Sequence, residues 1–172
     1  MKLNLGCGRD IRDGFVNIDN FKLNGVDRVL NLGHEKLPFK DNSVDYVYAN
    51  HFFEHLNSDE TMFLLDELYR VCRDGAIIEV ICPHQMSPVA SHVVHKQIIS
   101  ECFFDSHSVD TDQTGGQGKR YFKVEYKLSF MRYRPKRSGI LRLLPFLSIV
   151  PCNVYFHLTV VKKKNKEKKL KF

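Results

Sequence analysis

Two glycines, an acid and a scatter of histidines are the residues whose types and spacing could do chemistry. The apolar run "KLNL" ends in Gly6-Cys7-Gly8, and the next run, "FVNID", ends in Asp19, followed by Asn20. Glycines followed by an acid are a common means of gripping a nucleotide, because a glycine lets backbone approach a ligand without a Cβ in the way. Spacing narrows the nucleotide. A dinucleotide fingerprint needs G-x-G-x-x-G with an acid about 20 residues on; here Ile11 occupies the third glycine position, and Asp19 follows Gly8 after only eleven residues. No Gly-Lys-Ser/Thr follows, so the loop is not a P-loop.

The histidines raise a different chemistry. "HFFEH", His51 to His55, reads formally as H-x-x-E-H, an inverted zinc-protease motif. Two histidines at i and i+4 can share a helix face and hold zinc. This stretch follows directly on a Val/Tyr-rich strand, whereas the motif belongs inside a helix, so no metal site is expected from it. His84, His92 and His95 come later, in "PHQMSPVASHVVHK". Lone histidines are more often structural than catalytic. The five cysteines, at 7, 72, 82, 102 and 152, form no CxxC pair and are odd in number. That pattern suits reduced thiols in a cytoplasmic protein better than a disulfide framework.

The elements that must position these groups are readable from periodicity. Strands are expected at residues 2–6, 15–19, 26–32, 44–50 and 76–83. Between the last two, "SDETMFLLDELYRVC" reads as a helix over 58–72, capped by Ser58, with Met62, Leu65, Leu68, Tyr69 and Cys72 on its apolar face. Residues 89–104 read as one or two helices, and 105–120 as a polar, glycine-rich loop. Long strands are expected at 121–134 and 153–163, separated by an apolar loop-helix segment. Parallel crossovers early and two long strands late point to an α/β sheet with an antiparallel end.

With 172 residues, 43% of them hydrophobic and 27% charged, the chain suits one globular domain. Its net charge of +6 resides in the last stretch, "KKKNKEKKLKF", which holds seven lysines and one glutamate. The chain therefore divides into a near-neutral body, 1–161, and a lysine-rich tail, 162–172. A neutral body argues against a nucleic-acid face; the tail suits solvation or weak contact with an anionic membrane surface. No signal peptide is read at the start, and residues 139–158 carry Arg142, Pro145 and Pro151, which spoil a membrane span.

Taken in order, "LNLGCG", "VNID", "LPFKDNSVDYVYANHFFEHL" and "LDELYRVCRDGAIIEVICPH" resemble the class I S-adenosylmethionine-dependent methyltransferases, in particular their small type 11-like members. The resemblance spans residues 2–84. It implies a Rossmann-like, seven-stranded, mainly parallel sheet whose last strand is antiparallel and inserted between its neighbours. It implies S-adenosylmethionine as cofactor, with Gly6, Cys7 and Gly8 at its methionine part and Asp19 and Asn20 at the ribose. Asn31 and Leu32 are placed at the adenine, and Asn50 beside the methyl group. Asn31 stands where the family often has an acid. His51, His84 and His55, in that order, are the expected bases. The absence of an [N/D]-P-P-[Y/F] sequence after the fourth strand argues against methylation of base or amide nitrogens. A small-molecule or glycan acceptor, methylated on oxygen or nitrogen, is expected, with a homo-oligomer able to complete the site. A catalytically silent cofactor-binding subunit is the alternative, and a zinc hydrolase acting through H-x-x-E-H is the third reading, behind it.

One departure from the family is plain. Only six residues, "RDIRDG", separate Gly8 from Phe15, whereas a parallel crossover usually takes ten or more. The first crossover is expected to be cut to a turn or about one helical turn, with Arg9 available as a positive group.

Overall fold

The computed structural model describes residues 1–108, 122–132 and 149–162 of the chain. Seven strands form one sheet: β1 (Lys2–Leu5), β2 (Val16–Asp19), β3 (Arg28–Val29), β4 (Val44–Asn50), β5 (Cys72–Pro83), β6 (Phe122–Arg132) and β7 (Ile149–Val160). Their order is β3-β2-β1-β4-β5-β7-β6. The pairs from β3 to β5 are parallel, and β7 runs antiparallel to both β5 and β6. This is the expected Rossmann-like sheet with its inserted last strand.

The core lies on one sheet face. Leu3, Leu5, Val47, Ile78, Val80 and Phe156 are all essentially inaccessible there, as their period of two along each strand dictates. Helix α1 (Ser58–Val71) covers this face with Leu64, Leu65, Leu68 and Val71. Met62, expected on that stripe, is instead 42% exposed. The cap is Asn57, one residue before the expected Ser58. Asn57 accepts the Glu60 N–H at 2.9 Å, and Glu60 accepts the Asn57 N–H at 2.7 Å, a reciprocal capping box. Phe53, Phe104 and Phe156 meet edge-to-face with centroids 5.5 and 4.8 Å apart. Each such pair adds about 0.5–1.5 kcal/mol beyond simple burial.

No helix covers the opposite face among the described residues. The first crossover is a run of turns, and two buried asparagines do the work of a helix there. Asn4 donates to the Asp10 carbonyl at 2.7 Å and to Asn17 Oδ1 at 2.9 Å. Asn17 Oδ1 also accepts the Arg12 N–H at 3.0 Å. Arg12 then lies over the Tyr48 ring, 3.6 Å from its centroid, a cation–π contact that shields part of that face.

Three expectations are corrected. The third strand is two residues long, not seven: it runs beside the four-residue β2 and stops where the chain turns at Leu30–Gly33. Residues 89–104 form turns, not helix. Val93 and Ile98 point outward, so no apolar stripe is buried that could offset the weak helix propensity of the Val93-Val94 and Ile98-Ile99 pairs. Strand β7 begins four residues before its expected start and includes Pro151, tolerated because β5 reaches only as far as Asn153 and leaves that side of Pro151 without a ladder partner. The expectations for residues 109–121, for 133–148 and for the tail from 163 lie outside the described residues.

Candidate active site

The C-terminal ends of β1, β2 and β4 converge on a cleft of about 460 Å³, within the ~300–1,000 Å³ typical of small-molecule sites. Its floor is the loop after β1. Gly6 and Gly8 both take left-handed backbone, φ 59° and 49°. A Cβ on Gly6 would stand 2.3 Å from the Phe52 ring, whereas one on Gly8 would meet nothing within 4 Å. The first glycine is needed for packing; the second leaves open space facing the cleft.

Asp19 fixes this loop. One carboxylate oxygen accepts the Gly8 N–H at 2.8 Å and the other accepts the Phe21 N–H at 3.0 Å. The side chain is buried yet lines the cleft. Each oxygen keeps a free lone pair for a ligand hydroxyl. Asn20, Asn31 and Leu32 also line the cleft, and the Asn31 N–H is held by the Glu35 carboxylate at 2.7 Å.

β4 supplies the third wall. His51, directly after it, sits at φ 51°, a left-handed conformation that is uncommon for a non-glycine residue and clusters at functional sites. Its Nδ1 lies 3.1 Å from Glu54 Oε1. That hydrogen bond raises the His51 pKa above its ordinary value. Nδ1 therefore carries the proton, and Nε2 can accept one. His55 also lines the cleft, with its Nδ1 3.3 Å from the Val94 carbonyl.

Three expected residues do not reach the cleft. Cys7 faces the interior, and burial raises its thiol pKa to about 11. Asn50 is half-buried behind the turn at His51. His84 is buried with both nitrogens engaged: Nε2 lies 2.9 Å from Glu101, and Nδ1 accepts the Met86 N–H at 3.2 Å. Both contacts tie it to the chain around β5 rather than to the cleft. Arg9 is exposed and does not line the cleft.

The sequence reading missed Phe21, Leu23, Leu30, Phe52, Glu60 and Lys96, all of which line the cleft. Glu60 is a hub. It receives the Asn57 N–H, His34 Nε2 at 2.9 Å and Lys96 Nζ at 2.9 and 3.0 Å. Burial pushes its pKa up, but these donors win and hold it at about 2. The capping pattern N-x-x-E could have flagged Glu60; nothing local could have flagged Lys96.

The strand order, the inserted antiparallel strand and the cleft at the strand ends define a class I methyltransferase fold. Residues 3–80, a little under half of the chain, match the family described as "Methyltransferase domain", and the sheet is of the Rossmann-like methyltransferase kind. No curated protein sequence matches it. Among solved structures, it is similar to an S-adenosylmethionine-dependent methyltransferase of Archaeoglobus fulgidus, with TM-score 0.64 and 15% identity over 92% of this chain and 85% of that one. A phosphoethanolamine N-methyltransferase of Haemonchus contortus, solved with phosphomonomethylethanolamine and S-adenosylhomocysteine, aligns with TM-score 0.54 and 15% identity over 94% of this chain and 48% of that one. The [4+2]-cyclase SpnF aligns with TM-score 0.58 and 13% identity over 94% and 74%. At such identities the likeness is one of fold.

Proposed function

We propose that this protein transfers a methyl group from S-adenosylmethionine to a small-molecule or sugar acceptor, on oxygen or nitrogen. The observation that carries the reading is the cradle itself: an open glycine turn, fixed by a buried carboxylate that still has lone pairs facing the cleft. The chain's residues fit the cofactor. Backbone at Gly6 and Gly8 can approach a methionine-like group closely, and Asp19 can accept ribose hydroxyls. The apolar side chains of Leu30 and Leu32, with the amide of Asn31, suit an adenine.

When bound, S-adenosylmethionine supplies a methyl group already activated on a sulfonium. The protein's share is then to align an acceptor and remove its proton. His51 is the residue placed for this, since Glu54 holds its Nδ1–H and leaves Nε2 as the acceptor. A small acceptor is further supported by the fold likeness to an enzyme solved with phosphomonomethylethanolamine.

Calorimetric titration with S-adenosylmethionine and S-adenosylhomocysteine tests the reading. Both should bind, and Asp19→Ala should weaken both by about 10–100-fold, the loss of charge-assisted hydrogen bonds worth roughly 1.5–3 kcal/mol. Unchanged affinity in that variant would remove Asp19 from the site. Cofactor binding with no methylated product from any acceptor in a mass-spectrometric screen would favour a silent binding subunit.

A further inference from the structure

Beside the cleft, three side chains from two separate segments bring ligating atoms together. Glu54, His55 and His95 each place one such atom within 4.8 Å of the other two. Glu54 and His55 belong to the 3-10 turn Phe53–His55 that follows β4. His95 comes from the turns after β5.

Two independent features make this cluster more than a coincidence of neighbours. The first is the Glu54 carboxylate, which is 1% exposed. One oxygen receives His51 Nδ1; the other, Oε2, is buried with no hydrogen-bond partner. The Cys82 thiol is hydrogen-bonded to this carboxylate, but a thiol is at best a weak donor. A buried carboxylate oxygen left unpaired is costly unless a cation meets it. The second feature is how the two histidines are held. His55 Nδ1 lies against the Val94 carbonyl and His95 Nδ1 against the Ala90 carbonyl, at 3.3 and 3.1 Å. Carbonyls only accept, so both Nδ1 atoms carry protons and both Nε2 atoms keep lone pairs. Histidines oriented through a second nitrogen in this way are the usual form of metal ligands.

The segment bearing His95 is also pinned in place. The Lys96 N–H donates to the Glu54 carbonyl at 2.8 Å. Gln97 Nε2 donates to the Phe53 carbonyl at 3.2 Å and to Thr61 at 2.7 Å.

We propose that Glu54, His55 and His95 hold a divalent transition-metal cation, with zinc the best match to a carboxylate and two imidazoles. This is a different ligand set from the H-x-x-E-H reading of the sequence: His51 orients Glu54, and His95, forty residues on, completes the triad. Tetrahedral zinc needs ligand atoms roughly 3.4 Å apart, so the three side chains must draw together on the ion. Three protein ligands leave a coordination position open, and His55 lines the cleft. An acceptor oxygen bound there would be more acidic and would stand near His51. That role rests on the methyl-transfer reading; binding of the ion does not.

The test uses tag-free, chelator-stripped full chain. Zinc titrated by calorimetry should bind with one site per chain, and cobalt(II) should give a visible d–d absorption band at the same stoichiometry. His95→Ala and His55→Ala should weaken zinc at least 100-fold. His157→Ala, exposed on β7, should leave it unchanged. Glu54→Gln should behave like the histidine variants; if it fails to fold, the two histidine variants decide, since His95 lies on surface turns and melting curves will verify its fold. S-adenosylhomocysteine affinity, measured in parallel, should be within a few-fold of wild type in His95→Ala. Absence of a 1:1 zinc site, or equal affinity in wild type and both histidine variants, would overturn the proposal. Loss of S-adenosylhomocysteine binding in the wild type would overturn the methyltransferase reading and leave the zinc result standing by itself.

Discussion

A methyl group added at Gly6 runs into the Phe52 ring, while one added at Gly8 points into space. Both positions also carry the penalty of a left-handed backbone, about 1–2 kcal/mol for a residue with a Cβ. Gly6→Ala should therefore lower the melting temperature clearly more than Gly8→Ala. The second variant should lose cofactor affinity out of proportion to its stability, and thermal melts with parallel calorimetry separate the two effects. His51 invites a similar dissection. Its removal takes away a proton acceptor but no visible fold contact beyond Glu54. His51→Ala should cut turnover roughly 10²–10⁴-fold with cofactor affinity nearly intact, read from initial rates and titration. A near-normal rate would mean that the acceptor arrives already deprotonated and that proximity does the work. The placement of Gly6, Gly8, Asp19 and His51 at the cleft was legible in the sequence because each sits at a strand end, where type and spacing are local signals. His84 gives the same local signal. It too ends a strand, but its nitrogens are taken by Glu101 and by the Met86 N–H, partners that lie beyond the strand itself.

Helix α1 is both an architectural element and a wall of the cleft, and Glu60 joins the two roles. Its pKa lies near 2 in the folded chain, against an ordinary 4.5. A depressed carboxylate favours the folded state above its unfolded pKa and loses that contribution as pH falls through the folded value. Wild type should thus lose stability between about pH 4.5 and 2, and the Glu60→Gln variant should lose less over the same window, as thermal melts across pH will register. Asn57→Ala, which breaks the other half of the capping box, should cost about 1 kcal/mol at neutral pH in a denaturant titration. The helix itself was readable from its periodicity, and its cap was displaced by only one residue because Asn57 and Ser58 are both good caps. Residues 84–104 were not readable. Their shape is set by hydrogen bonds to the Glu54 and Phe53 carbonyls, and no periodic signal encodes such distant partners. The strand pattern of β3 was overlong because alternation continues past the point where its short neighbour β2 ends.

At the scale of the whole molecule, charge and fold are separable. The body is near neutral, and the excess positive charge lies in the terminal lysines. Lys162 still belongs to the body: its N–H donates to Asp74 at 2.9 Å, and its ammonium lies over the Tyr69 ring. Removing residues 164–172 should therefore leave melting temperature and cofactor affinity unchanged, whereas a cut that also takes Lys162 should lower stability; a differential melt of the two truncations checks this. The seven-stranded order was foreseeable only through family resemblance, since periodicity names strands but does not rank them. That order has a further consequence in time. β1 lies between β2 and β4, and its register with β4 pairs Lys2 with Tyr46. A ribosome adds about 5–20 residues per second, so this central strand emerges seconds before the partner that seals its second edge. With parallel neighbours and a single α-helix among the described residues, the sheet belongs among the slow, non-local folders. In the cell, the emerging chain must keep the exposed Leu3 and Leu5 from other partners until the β4 segment has been made.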